Sequence, residues 1–152
     1  MESLALPAIK VDVRTDADGT TRIYDLLRKK YVALTPEEWV RQHFVGYLID
    51  SLGYRPALMA NEAGLVQNGI RRRCDTVVFD RNGLPLVIVE YKAPAVQITQ
   101  RVFDQIVRYN SVLKAPFLIV SNGLRHYCCR VDVQSGSYSF LRDIPCWDSL
   151  ME

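Results

Sequence analysis

At 152 residues the chain is long enough for one domain with its own core, and 49% hydrophobic with 24% charged residues is the ordinary mix of a globular protein. A net charge of +2 excludes a chain that binds nucleic acid through bulk basicity. No apolar run approaches bilayer length and "MESLALPAIK" lacks a signal-peptide pattern, so no membrane is expected and the default address is cytoplasmic.

The first segment, "IKVDVRTDADGTTRIYDLL", alternates weakly around Asp16, Asp18 and Gly19, and residues 1–30 read as an N-terminal β-hairpin extension. "LTPEEWVRQHFVGYLIDSLGY" is the clearest helix. Thr35 suits the N-cap, Pro36 the first helical position, and Glu38 completes a capping box. Val40, Phe44, Tyr47 and Leu48 form its apolar stripe, and Gly53 marks its end. "ALMANEAGLVQNG" reads as a strand with irregular flanks.

"RRRCDTVVFD" and "LPLVIVEYK" are β-rich runs separated by Asn82-Gly83, a strong hairpin signal. "QITQRVFDQIVRYNSVLK" is helical, with Ile98, Val102, Gln105 or Ile106, Tyr109 and Val112 or Leu113 on one side, and Pro116 ends it. "FLIVS", "RHYCCRVDV" and "YSFLRDI" are further strands. The order predicts one mixed α/β (α+β) domain over residues 1–152 rather than a regularly alternating doubly wound sheet. Cys74, Cys128, Cys129 and Cys146 form no CxxC pair and read as buried reduced thiols, with Cys128 and Cys129 on opposite faces of a strand.

The hairpin brings charges together. If Asn82-Gly83 is a two-residue turn, Asp75 falls directly opposite Glu90, with Cβ atoms about 4.5–5.5 Å apart. Lys92, two residues on, leaves the same face. Two carboxylates that close repel unless something positive lies between them. Lys92 supplies one charge, and Mg²⁺ or Mn²⁺, which favour hard oxygen ligands, would do it better. A loop of three or four residues would shift the register and turn Asp75 away. The plain alternative is a cross-strand salt bridge of Asp75 or Glu90 with Lys92 or Arg73.

Asp75, then fourteen residues, then Glu90-x-Lys92, followed by Gln105-x-x-x-Tyr109, resembles the PD-(D/E)xK nuclease superfamily. "RKKYVALTPEEWVRQHF", "RRRCDTVVFDRNGLPLVIVEYKAP", "QIVRYN" and "SNG" resemble the N-terminal nuclease domain of type I restriction enzyme R subunits, including stand-alone forms, over roughly residues 22–125. Cys74 stands where the superfamily's name has proline, a departure common in the type I group.

The resemblance implies a restriction-endonuclease-like core, a mixed sheet flanked by helices. It implies Mg²⁺-dependent (or Mn²⁺-dependent) hydrolysis of DNA phosphodiester bonds by an endodeoxyribonuclease. Asp75, Glu90 and the Tyr91 carbonyl would hold the metal, Lys92 would orient water or stabilise charge, and Gln105 and Tyr109 would place the scissile strand. Glu37, Glu38 or Glu62 could add a ligand. Glu38 is also explained by its cap and Glu37 by the helix dipole, while Glu62 is otherwise an exposed loop acid.

Arg71, Arg73, Arg101 and Arg108 are the candidate phosphate contacts, and Arg71-Arg72-Arg73 is otherwise a solvated run. His43 and His126 read as structural. Implied partners are DNA and restriction or helicase subunits, with a homodimer as a further arrangement. No P-loop motif is present. The rival readings are a non-catalytic nucleic-acid-binding or subunit-docking module that keeps the nuclease fold, and a small α/β protein whose hairpin charges are structural.

Overall fold

A computed structural model describes residues 1–151. Its N-terminal part is a three-stranded antiparallel sheet, β1 (Val13–Thr15), β2 (Thr21–Asp25) and β3 (Lys30–Ala33). The expected hairpin of residues 1–30 is therefore one strand short: "KYVA" returns along β2, pairing Tyr24 with Tyr31 and Asp25 with Lys30. The Tyr24 and Tyr31 rings meet edge-on with centroids 5.2 Å apart.

The helix α1 (Pro36–Asp50) follows, capped by Thr35, whose hydroxyl accepts from the Glu38 amide at 3.0 Å. A six-stranded sheet comes next: β4 (Met59–Gln67), β5 (Ile70–Phe79), β6 (Pro85–Tyr91), β7 (Phe117–Ser121), β8 (His126–Val131) and β9 (Tyr138–Leu141), in that spatial order. All neighbours are antiparallel except β6 and β7, which are parallel and joined through α2 (Gln100–Asn110). A short α3 (Trp147–Leu150) closes the chain.

The sheet is apolar on both faces because each is covered. On one side α1 and α3 bury Val40, Phe44, Leu48 and Trp147 against Val78, Val87, Val89 and Ile119. On the other, α2 buries Phe103 and Val107 against Val77, Ile88, Leu118 and Val120. Cys128 belongs to the first core and Cys129 to the second, as strand alternation requires. Cys74, Cys128 and Cys129 are buried, but Cys146 is exposed, because the chain turns at the surface there before α3.

The buried face of α2 is Phe103, Val107 and Asn110, not the stripe through Val102 and Tyr109. Tyr109 is 46% exposed. Both stripes have helical spacing, and the sheet selects the one whose wholly apolar ring, Phe103, packs near Tyr127 and Tyr138.

A buried ionic network ties the N-terminal sheet to the rest. Asp25 is fully buried and accepts from the amides of Leu27 and Arg28, from the Arg28 guanidinium, and from Asn61 Nδ2. Burial works against its charge, yet these donors outweigh it and hold the carboxyl below its ordinary range. Arg28 also donates to Glu38 Oε1 at 2.9 Å. Removing one member leaves the others buried and unpaired. Asp25→Ala should cost about 3–5 kcal/mol, which for a domain of this size lowers Tm by about 10 °C. Calorimetry checks this, and an unchanged Tm would show that the network carries no stability.

Candidate active site

The β5–β6 hairpin sets the register of the site in an unexpected way. Its loop has three residues, Arg81 to Gly83, not two: the Asp80 amide donates to the Leu84 carbonyl, Gly83 donates back to Asp80, and Gly83 has φ +79°. The Asp80 carboxylate fixes the turn by accepting from the amides of Asn82 and Leu84. Such a loop alone would face Asp75 away from Glu90. The register shifts back between Phe79↔Pro85 and Val78↔Val87, leaving Leu86 as a bulged residue. From there Val77↔Ile88 and Thr76↔Val89 run true, which sets Asp75 against Glu90.

Around Asp75 the sheet is locally irregular. The β4–β5 ladder keeps one register on either side but skips Glu62, whose φ is +55°. A non-glycine residue there stores about 1–3 kcal/mol of strain, which persists only where the surroundings enforce it. Arg41 of α1 does so. Its Nη1 donates to the Asp75 carbonyl at 2.8 Å, and its Nη2 donates to Glu62 Oε1 and Glu38 Oε1, both at 2.8 Å. The Asp75 carboxylate is held in turn, Oδ2 accepting from the Tyr91 amide at 2.8 Å.

Glu90 is the perturbed group. Burial, then the charge and hydrogen bond of Asp75, push its carboxyl up to about 9, against the pull of Lys92 and Asn110. The pair thus keeps one proton where two separate carboxylates would keep none. Glu90 Oε1 is buried without a hydrogen-bond partner. An orphaned carboxylate oxygen beside a second carboxylate is a donor set that suits a hard divalent cation. Asp75 and Glu90 fit a metal in that respect. Among the described residues no group of three or more His, Cys, Asp or Glu side chains converges. Cys74, beside the pair, is pushed up to about 12 by burial and by both carboxylates, so it remains a thiol.

The other expected ligands go elsewhere. Glu37 is exposed. Glu38 does not complete the capping box. Its carboxylate is buried and divided among Arg28, Arg41 and Gln42. Glu62 is a half-buried strand residue rather than an exposed loop acid, and Arg73 and Arg41 outweigh its burial and hold it below the ordinary range. Gln105 and Tyr109 lie on the exposed side of α2, Tyr109 beneath the Arg72 guanidinium at 4.5 Å from the ring centroid. Arg71, Arg73, Arg101 and Arg108 are all exposed, and among the described residues only Arg73 of these pairs with an acid. His43 and His126 make structural bonds, His43 to the Trp39 carbonyl and His126 to Ser121 and the Ala5 carbonyl.

Three residues of the site escaped the motif reading. Arg41 is buried three residues after Glu38, and a charged pair at that spacing inside an apolar stripe is the signal for it. Asn110 continues the Phe103–Val107 face and is the α2 residue that reaches Glu90. Asn61 links Asp25 to Thr76, whose hydroxyl donates to it at 2.6 Å and accepts from Tyr91 Oη at 2.9 Å.

The family model of the type I restriction enzyme R protein N terminus matches residues 36–145. The chain belongs to that family. No curated protein matches it. Its fold is similar to the fragment structure of an HsdR subunit assigned to a type I restriction enzyme of Vibrio vulnificus YJ016, with a TM-score of 0.54 and 20% identity over 78% of the chain. The chain spans about a quarter of that fragment's length. The R-protein match begins at the first residue of α1, so Asp25 and Arg28 reach the site's supports from outside it. No helix among the described residues is long and apolar enough to cross a membrane.

The raised carboxyl sets a pH dependence. Between the ordinary carboxylate range and about 9, the unfolded chain has released a proton that folded Glu90 retains. Metal-free stability therefore falls as pH rises through that window, by up to about 1.4 kcal/mol per unit. Glu90→Gln should flatten this slope in thermal melts from pH 5 to 9, and equal slopes in both proteins would contradict the raised carboxyl.

Proposed function

We propose that this R-protein N-terminal domain is a DNA nuclease that hydrolyses phosphodiester bonds with Mg²⁺ or Mn²⁺, and that Asp75, Glu90 and the Tyr91 carbonyl hold the ion. The observation that carries this reading is the Asp75–Glu90 pair at the end of β6, with Glu90 Oε1 buried and unpartnered and Lys92 alongside. A bound divalent cation would supply charge for the phosphate oxygens and acidify a water.

The chain's own groups do the positioning. The Tyr91 amide fixes the rotamer of Asp75, and Arg41 fixes its backbone. Asn110 and Lys92 both favour the charged form of Glu90. Lys92 is held through its amide on the Ser121 carbonyl, and its charge acts on Glu90. There it would orient the attacking water and neutralise charge developing on the phosphate. Gln105 and Tyr109, on the outer side of α2, would contact the strand rather than the reacting phosphate. The partners that follow are DNA and, for a domain of this family, further restriction subunits.

Two measurements test this. Binding of Mn²⁺ to the native state should raise Tm, with about 2.7 kcal/mol of stabilisation at a hundredfold excess over Kd. Asp75→Asn should abolish the rise. Plasmid nicking in Mn²⁺ should fall by at least about 10³-fold in Lys92→Ala. If the metal neither shifts the melt nor supports nicking, a non-catalytic docking module takes the nuclease's place.

A further inference from the structure

Beyond the site, β5 outruns its neighbour. β6 stops at Tyr91, whereas β4 and β5 continue paired only to each other from Gly64↔Arg73 to Gln67↔Ile70. At about 3.3 Å per residue this ribbon projects roughly 13 Å past the end of β6. Its tip is a two-residue turn, Asn68-Gly69, with φ of +52° and +76°. The free edge of β5 and the end of β6 form a corner, and the Asp75–Glu90 pair lies at it, with Glu90 on the α2 side of the sheet beside Asn110.

The two faces of the ribbon differ. The inner face carries Leu65, which packs into the core beneath α2, and Arg72, which donates to the Tyr109 carbonyl at 2.8 Å. The outer face carries Gly64, Val66, Arg71 and Arg73. Val66 is 61% exposed, and at the tip Ile70 is 41% exposed. Among the described residues no acid pairs with Arg71, while Arg73 holds Glu62 with a side chain 73% exposed. So exposed a pair yields readily to a phosphate. A Cβ added at Gly64 would meet nothing within 4 Å.

We infer that this ribbon is the element by which the chain engages double-stranded DNA, its outer face entering the major groove beside the Asp75–Glu90 corner. The inference rests on the nuclease reading for the purpose of that corner. A two-stranded ribbon fits the groove, which is about 12 Å wide. Two arginines on one face supply the charge complementarity, and the glycine opposite Arg73 admits the close approach of a base edge. Val66, on the same face, offers apolar contact of the kind a thymine methyl accepts. Single strands are held by exposed aromatic rings, and the outer face has none; Tyr109 lies on the other side, beneath Arg72.

The test is anisotropy of the full chain without metal, against a labelled duplex of about 20 base pairs and against either strand alone. Wild type should bind duplex at least about tenfold more tightly than single strand. Arg71→Ala should weaken duplex binding about tenfold and reduce the slope of log K against log salt by about one. Gly64→Glu sets a carboxylate opposite Arg73 at a position with room for it. It should abolish duplex binding with Tm and circular dichroism unchanged. Equal affinity for duplex and single strand, or undiminished binding by Gly64→Glu, would overturn the inference. Nicking is scored separately. Ribbon-dependent duplex binding without cutting in Mn²⁺ sinks the nuclease reading alone, and cutting with ribbon-independent binding sinks the ribbon alone.

Discussion

Two carboxylates facing each other across a strand pair, in a corner that water only partly reaches, make an arrangement that a protein does not form without cause. The repulsion between Asp75 and Glu90 and the desolvation of Glu90 both oppose folding, and the retained proton relieves this only in part. Much of the surrounding structure serves to hold the pair in place despite that cost. The Tyr91 amide grips one carboxylate, while Asn110 and the lysine two residues on both favour the charged form of the other. This local tension, opposed by cooperative packing elsewhere, is of the kind that persists only where the surrounding structure enforces it.

The packing that opposes it is spread widely. Arg41 joins α1 to the backbone of Asp75, and Glu38 and Arg28 join α1 to the N-terminal sheet. A second chain of hydrogen bonds runs from Asp25 through Asn61 and Thr76 to Tyr91. Both chains start at the fully buried Asp25 and end on either side of the carboxylate pair. The N-terminal sheet therefore acts as a fixed wall against which the site is braced, although the family match begins only after it.

Much of this was legible in the sequence. Thr35 and Pro36 start α1, the all-apolar "FLIVS" is a fully buried strand, and β-branched runs flank the site. Hairpin register predicts the opposition of Asp75 and Glu90, but from a two-residue turn at Asn82-Gly83 that the protein does not have. The third loop residue and the bulge at Leu86 cancel in parity, and no local pattern announces a bulge. On α2 two stripes shared helical spacing, and only the tertiary surface decides between them. The capping box at Glu38 is a local rule overridden by a stronger long-range demand, since the buried Glu38 carboxylate is held by Arg41 and Arg28. Glu62, Arg41 and Asn110 act through space, between elements whose contact a linear motif does not encode.

The bulge at Leu86 has a bearing on how the hairpin tolerates change in its length. A strand pair with a simple turn transmits any inserted or deleted residue directly to every side chain beyond it. Here the irregularity sits between the turn and the acids, with four paired residues of β5, Thr76 to Phe79, separating the loop from Asp75. A hairpin that loses one residue can keep the acids opposed by ironing out the bulge, and one that gains a residue can do so with a second bulge. The turn is thus free to drift in length while the chemistry at the far end of the strands stays in phase.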